Sequence, residues 1–196
     1  MLHGLRATLL AVCTVGTLQA PCLGQSPNPE QSAAERALYM RSVARVFGTS
    51  PTEADLLATW LQHPSELPVL LHVAARAGVS PDIVGSLRRS GASWQRLATR
   101  LGLSAAAFHV EVSSTELIGI LVRPLSQFRD RPPAEWYTIA LTDMEIVALV
   151  NVRVLAEAAS ASPSEVAAAL DSPAPDFLTA YASLVRARAG TDTKNH

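Results

Sequence analysis

Explicit signals for the start of a helix recur along this chain, and they constrain its fold more than any other feature. A serine or threonine stands three positions before a glutamate at residues 50–53, 142–145 and 162–165, and a Ser-Pro pair occupies residues 80–81. In such a capping box the two side chains accept hydrogen bonds from N–H groups that the first helical turn leaves free, and proline suits the first helical position. The pattern therefore predicts several separately capped helices.

Apolar residues follow these signals at helical spacing, and glycines close the predicted helices. Loops of two or three residues make successive helices antiparallel neighbours, and abundant alanine favours closely packed helices over a β-sandwich. We therefore predict an all-α fold, a compact helical bundle of short antiparallel helices in which Leu56 and Ile83 face the core. The predicted helices cover approximately residues 33–47, 51–62, 66–77, 81–90, 94–101, 143–159, 163–172 and 176–189.

The middle of the chain has the least regular pattern. Residues 108–113 alternate in polarity, which is compatible with a short extended piece. Residues 113–116 resemble another capping box, ahead of an apolar run over residues 117–122 that we favour as a buried helix over a strand. Three prolines make residues 123–133 a predicted irregular connection.

Two segments of the chain align when the sequence is shifted by 82 residues. The shift superposes Ala74 on Ala156, Ser80 and Pro81 on Ser162 and Pro163, Val84 on Val166 and Ser90 on Ser172, and, after one inserted residue, Leu87 on Leu170, Trp94 on Phe177 and Leu101 on Leu184. The alignment has two readings. One is a pair of related three-helix units, in halves 33–110 and 140–189 joined by residues 111–139, and the other is a chance match between alanine-rich helices.

The first 24 residues have the pattern of a secretory signal peptide. Arg6 precedes a mainly apolar stretch over residues 7–18 that contains no acidic residue, and the small residues Cys22 and Gly24 precede the expected cleavage point. The apolar stretch is shorter than a membrane-spanning helix requires. We therefore expect the protein to be secreted or periplasmic.

Cleavage after Gly24 would leave a mature chain without cysteine and without a transmembrane segment. We expect a flexible leader over residues 25–32, one helical domain over residues 33–189 and a disordered tail over residues 190–196. Acylation of Cys22 in a lipoprotein is the disfavoured alternative, because the residues before it do not fit that signal.

One block resembles a known kind of protein. Residues 73–103, which contain the run Arg-Arg-Ser-Gly-Ala-Ser-Trp at 88–94, look like a helical repeat of secreted bacterial proteins that have no assigned activity. The resemblance implies an exported helical protein. It carries over no catalytic residue.

Charge is distributed unevenly along the mature chain, whose net charge is −2. Residues 76–131 hold eight arginines and four acidic residues, whereas residues 132–185 hold seven acidic residues and Arg153 as their one base. This distribution has two readings: the two faces are solvated surfaces, or the basic one docks on an envelope protein or on a second copy of the chain. The candidate docking residues are Arg88, Arg89, Arg96, Arg100 and, as an exposed aromatic contact, Trp136.

Metal-binding and cofactor-binding patterns are weak. The histidines after the predicted signal are scattered, with no pair at helical spacing: His63, His72, His109 and His196. We therefore predict neither a metal site nor a cofactor. The sequence favours binding over catalysis as the mode of action.

Two other functions remain open as alternatives. The Gly-x-Ser-x-Gly turn of serine hydrolases is absent, but a helical enzyme that cleaves cell-wall glycans could use one glutamate as general acid. The candidates are Glu111, Glu116 and Glu145, of which the last two are also explained by helix capping. Residues 97–104 with Phe108 resemble a DNA-binding helix-turn-helix, but the would-be recognition helix lacks side chains for bases or phosphates, which favours a plain αα-hairpin.

Overall fold

The computed structural model of the protein describes residues 29–113, 119–170 and 176–192. The prediction of an all-α fold is confirmed: these residues form helices, turns and connections without any β-strand. The α-helices are α1 (Pro29–Phe47), α2 (Pro51–Ala58), α3 (Leu67–Ala77), α4 (Pro81–Arg89), α5 (Trp94–Arg100), α6 (Val122–Arg129), α7 (Asp143–Ala159), α8 (Pro163–Ala169) and α9 (Phe177–Asp192). Short 3₁₀ turns cover Pro64–Glu66, Ala105–Phe108 and Pro133–Thr138.

Several predictions concern residues outside these described ranges. The predicted signal peptide (1–24), with Cys22, lies there, as do most of the possible capping box at residues 113–116 and the last four residues, 193–196. Among the helices that the structure describes, none is both long enough and apolar enough to cross a membrane.

Of the capping boxes predicted at residues 50–53, 142–145 and 162–165, the last two form completely. The capping boxes at residues 142–145 and 162–165 are complete, with each hydroxyl accepting the glutamate N–H and each glutamate accepting from the first residue of the box. The Ser50 hydroxyl accepts the Glu53 N–H at 3.2 Å, so this cap forms through its serine side. Ser80 occupies the N-cap position of α4 without a side-chain capping bond.

Several predicted boundaries are wrong: α2 ends at Ala58 rather than near residue 62, and the predictions for α1, α6 and α9 also differ from the structure. Helix α1 starts at Pro29 and so includes half of the predicted flexible leader, because proline and the following Glu30 both suit a first turn. Helix α6 occupies most of the predicted irregular connection over residues 123–133. Its Pro124 lies in the first turn, where the missing N–H has no helical partner to lose. Helix α9 extends beyond residue 189 to Asp192.

Helix α7 lies at the centre of the bundle and packs against α1, α3, α5, α8 and α9. Its apolar residues at helical spacing, Ile146, Leu149, Val150, Val152 and Leu155, are all buried, and nearly the whole helix is excluded from solvent. The predictions for Leu56 and Ile83 are wrong: their side chains are 56% and 49% exposed, because α2 and α4 each bury only a narrow face.

One buried polar group of α7 ties three parts of the fold together. The Tyr39 hydroxyl of α1 donates to Asn151 Oδ1, while Asn151 Nδ2 donates to the carbonyls of Ser65 and Val147 at 2.9 and 2.8 Å. Burial raises the pKa of Tyr39 well above its usual value, so the phenol stays a neutral donor. Asn151 thus fixes α1 and the turn before α3 relative to α7.

The two aligned segments share their local geometry over the first two helices of the predicted unit. Gly78 after α3 and Ser160 after α7 both adopt the left-handed conformation, with φ of 66° and 51°, and the serines at 80 and 162 both begin the next helix. The third helices start on buried aromatic residues, Trp94 and Phe177. The match ends there, because α5 has 7 residues and α9 has 16.

Replacing Gly85 by alanine is expected to destabilise the protein by about 1–3 kcal/mol, the typical cost of overpacking. A Cβ at this position would lie 2.6 Å from Trp60 Cε3 and 3.3 Å from Leu70 Cδ1, so the indole would have to move. Urea unfolding followed by circular dichroism measures the change. Gly190→Ala is the control, since its Cβ would meet nothing within 4 Å, and an equal or smaller loss at Gly85 would contradict the packing described.

Candidate functional site

Helices α4 and α5 form the basic pair that the sequence singled out. Gly91, with φ of 92°, turns the chain between them, and the Ser93 hydroxyl caps α5 by accepting the Arg96 N–H at 3.2 Å. Trp94 and Leu97 are buried and anchor α5 to the core. Arg96 and Arg100 are therefore exposed one turn apart on the same side of the helix.

An open groove of about 520 Å³ runs between the two helices. Its walls are formed by Asp82, Ile83, Ser86, Leu87, Arg100 and Leu101. Ile83 is half exposed and Leu87 and Leu101 are partly buried, so the floor is apolar while Arg100 stands at the rim. Exposed apolar side chains bordered by charge are typical of a protein-contact surface.

Arg89 is held at the opposite side of α4, toward α2. Its guanidinium lies 5.1 Å from the centre of the Trp60 ring, in a cation–π arrangement, and Trp60 itself packs against Gly85. The stacking restrains the arginine while leaving it exposed. We call the groove together with Arg89, Arg96 and Arg100 the α4–α5 surface.

Arg88 does not belong to this surface, which corrects the prediction for this residue. Its side chain is only 13% exposed, and its Nε donates to Glu66 Oε2 at 2.7 Å. Nη1 donates to the Ala92 carbonyl at 3.0 Å, and the guanidinium covers the Trp94 ring at 5.1 Å. The reason is helical spacing: Arg88 lies four residues after the buried Val84, on the same inner face.

Trp136 was predicted as an exposed aromatic contact, and the structure places it in a cluster instead. Its indole N–H donates to the carbonyls of Phe128 and Arg131, both at 3.1 Å. Its ring lies 4.2 Å from the His109 ring and 5.2 Å from the Phe128 ring. The exposed aromatic of this region is the next residue, Tyr137, at 72% exposure.

The three glutamates considered as general acids differ: Glu145 is buried, Glu111 is exposed, and Glu116 lies outside the described residues. Glu145 is buried, accepts from Arg123 Nε at 2.6 Å and completes the cap of α7, so the predicted capping role is confirmed. The hydrogen bond to Glu145 raises the pKa of Arg123. Glu111 is exposed on an open cavity, and Glu116 lies outside the described residues. The solvated Glu111 carboxylate lacks the enclosed, water-excluding pocket in which a general acid would act on a glycan.

The helix-turn-helix resemblance does not extend to the second helix. Gly102 makes the expected turn after α5, with φ of 74°. The segment that follows is a 3₁₀ turn of four residues, Ala105–Phe108. It is too short to lie along a major groove as a recognition helix, and it replaces the αα-hairpin that the sequence favoured.

Two of the histidines, His72 and His109, pack against aromatic rings of the fold. His72 is buried, and its Nε2 lies 2.9 Å from the Ala107 carbonyl. Burial, followed by the charge of Arg153, lowers the pKa of His109, while Glu111 opposes that change. Within the described ranges, no three His, Cys, Asp or Glu residues are grouped closely enough to hold a metal ion. His196 lies beyond those ranges.

Comparison with other proteins gives no match: no family model, no curated protein and no solved structure corresponds to this chain. The resemblance of residues 73–103 to secreted helical repeats therefore stays a prediction. The α4–α5 surface has to be interpreted from its own geometry and charge.

Proposed function

We propose that this protein is an exported, non-catalytic helical module of the bacterial cell envelope that docks on another protein through the α4–α5 surface. The observation that carries the proposal is an apolar groove with the exposed Arg100 in its wall and the exposed Arg96 one turn away on the same helix. The pattern of residues 1–24 supports the export part of the proposal.

The arginines and the apolar groove of the α4–α5 surface fit a partner segment that carries both acidic and apolar side chains. Arginine binds carboxylates through two parallel hydrogen bonds, and Arg96 and Arg100 present two guanidinium groups on one line. Ile83 of α4 lines the groove beside these arginines and adds an exposed apolar side chain. Asp82 is the single acid that lines the groove, so carboxylates on the partner would meet little repulsion.

The partner is a different protein rather than a second copy of this chain. The acidic half uses several of its carboxylates internally, which leaves few for docking. Glu145 pairs with Arg123, Glu165 with Arg188, Asp143 accepts the Trp94 N–H, and Asp176 accepts the Leu178 N–H. A partner with more free carboxylates than this half offers complements the arginines better.

Selection of random displayed peptides on the mature protein tests the proposal. We expect the wild type to enrich peptides that combine acidic residues with spaced apolar residues. The variant Arg96→Glu/Arg100→Glu should lose those peptides by about tenfold or more in affinity, because two charge-assisted contacts become repulsive.

The matched control is Arg36→Glu/Arg41→Glu, two exposed arginines of α1 that lie on another element. It should retain the selected peptides. The proposal is contradicted if no acidic peptides are enriched, or if the α5 variant binds them as tightly as the wild type. Sedimentation of the free protein as a dimer that the α5 variant abolishes would instead assign the surface to self-association.

A further inference from the structure

A second cleft, separate from the α4–α5 surface, opens where the first turns of α5, α7 and α9 meet the 3₁₀ turn Pro64–Glu66. Its volume is about 420 Å³, within the range of small-molecule sites. The apolar part of its lining consists of Pro64, Trp94, Met144, Val147, Phe177 and Leu178. Most small-molecule sites have such a lining, with a few polar groups that orient the ligand.

Glu66 supplies the polar group at the bottom of this cleft. Its side chain is only 5% exposed, and its Oε2 accepts from both Arg88 Nε, at 2.7 Å, and Trp94 Nε1, at 3.1 Å. No described residue donates a hydrogen bond to the other oxygen, Oε1. Glu66 lines the cleft, so a donor group of a ligand can reach this oxygen.

The charges around the cleft favour a cation. Glu66, Asp143 and Asp176 line it together with Arg88 and His63, so the three carboxylates outnumber the guanidinium. Arg88 is already engaged, by Glu66 and by Asp143, whose Oδ2 lies 3.7 Å from Arg88 Nη1. A positive ligand is therefore attracted by the remaining negative charge, and an anion is repelled.

We propose that this cleft binds a small organic ammonium ion that has an apolar body. The ammonium group donates to Glu66 Oε1, and the apolar body packs against Phe177 and Met144. The site does not depend on the α4–α5 surface, since its lining shares no residue with the groove there.

Titration of the mature protein with 2-phenylethylammonium tests this site. The readout is the indole N–H resonance of Trp94, which donates to Glu66 and can be assigned by its loss in Trp94→Phe. We expect a saturable shift of this resonance. The neutral 2-phenylethanol and the anionic phenylacetate, which match the probe in shape, should bind at least about tenfold more weakly, because neither forms a charge-assisted bond to a carboxylate.

Two variants locate the site. Glu66→Gln should weaken binding by about tenfold, and Met144→Arg, a change at a half-exposed residue of the cleft, should block it while preserving the fold. Tyr137→Arg is the matched control at an exposed residue outside the cleft, and Arg96→Glu/Arg100→Glu should also bind normally. Absence of a saturable shift, equal binding of the three compounds, or unchanged binding by Met144→Arg would overturn the proposal.

Discussion

Replacing Glu66 by alanine is expected to lower the free energy of unfolding by about 3–5 kcal/mol, the typical cost of removing one partner from a buried ion pair. The loss leaves the Arg88 guanidinium buried opposite an empty space and the Trp94 indole N–H without its acceptor. Urea unfolding of the purified variant, followed by far-ultraviolet circular dichroism, measures the change.

Removing both charges separates this cost from a loss of packing. In Glu66→Leu/Arg88→Met we expect most of the stability to return, because well-packed apolar residues often replace a buried ion pair without loss. Glu111→Ala, at an exposed carboxylate, should change stability by no more than about 0.5 kcal/mol. A Glu66→Ala effect as small as that of Glu111→Ala would show that the ion pair does not hold α4 to the turn before α3.

Replacing Asn151 by leucine is expected to cost about 2–4 kcal/mol, because it leaves two buried polar groups without partners. The Tyr39 hydroxyl loses its acceptor, and the Ser65 carbonyl loses its donor. The side chains have similar size, so the change tests hydrogen bonding more than volume. Urea unfolding of the single variant gives the loss of stability directly.

The double variant Tyr39→Phe/Asn151→Leu tests whether the loss of stability comes from the unpaired Tyr39 hydroxyl. It removes the orphaned hydroxyl, so it should be more stable than Asn151→Leu alone by about 1–2 kcal/mol. If the losses of stability of the two single variants simply add up in the double variant, the hydroxyl does not depend on Asn151. The network linking α1, α7 and the turn before α3 would then not be as described.

Features that depend on residues close together in the sequence were predictable. The full capping boxes that start α7 and α8, the left-handed Gly78 after α3 and the inward face of α7 all follow from spacing within one or two helical turns. The all-α class follows from the same local signals, because each capped segment is followed by apolar residues at helical spacing.

Features that depend on distant residues were not predictable. Arg88 shares the inner face of Val84, which is a local hint, but its partner Glu66 lies 22 positions away and only the packing of α3 on α4 brings it near. Trp136 is likewise covered by His109, 27 positions earlier in the chain. Helix α6 was missed because Pro124 looks like a breaker, although the first turn of a helix accepts it.

The same reasoning explains which of the arginines predicted for docking are exposed. Arg89, Arg96 and Arg100 lie on outward positions of short helices, where local spacing decides exposure. The apolar groove between α4 and α5 needs two helices in contact, so its presence is visible only in the folded protein. The cleft at Glu66 requires four separate elements and has no signature in the sequence.

Site-specific photocrosslinking tests the docking claim most directly. A photoreactive phenylalanine analogue replaces Ile83 in the groove, or Tyr137 at a more exposed position outside it, and each protein is irradiated with the tightest acidic peptide from the selection. The account predicts a crosslink from position 83 that disappears in the Arg96→Glu/Arg100→Glu background, and none from position 137. A crosslink from position 137 alone, or one from position 83 that persists after charge reversal, would contradict it.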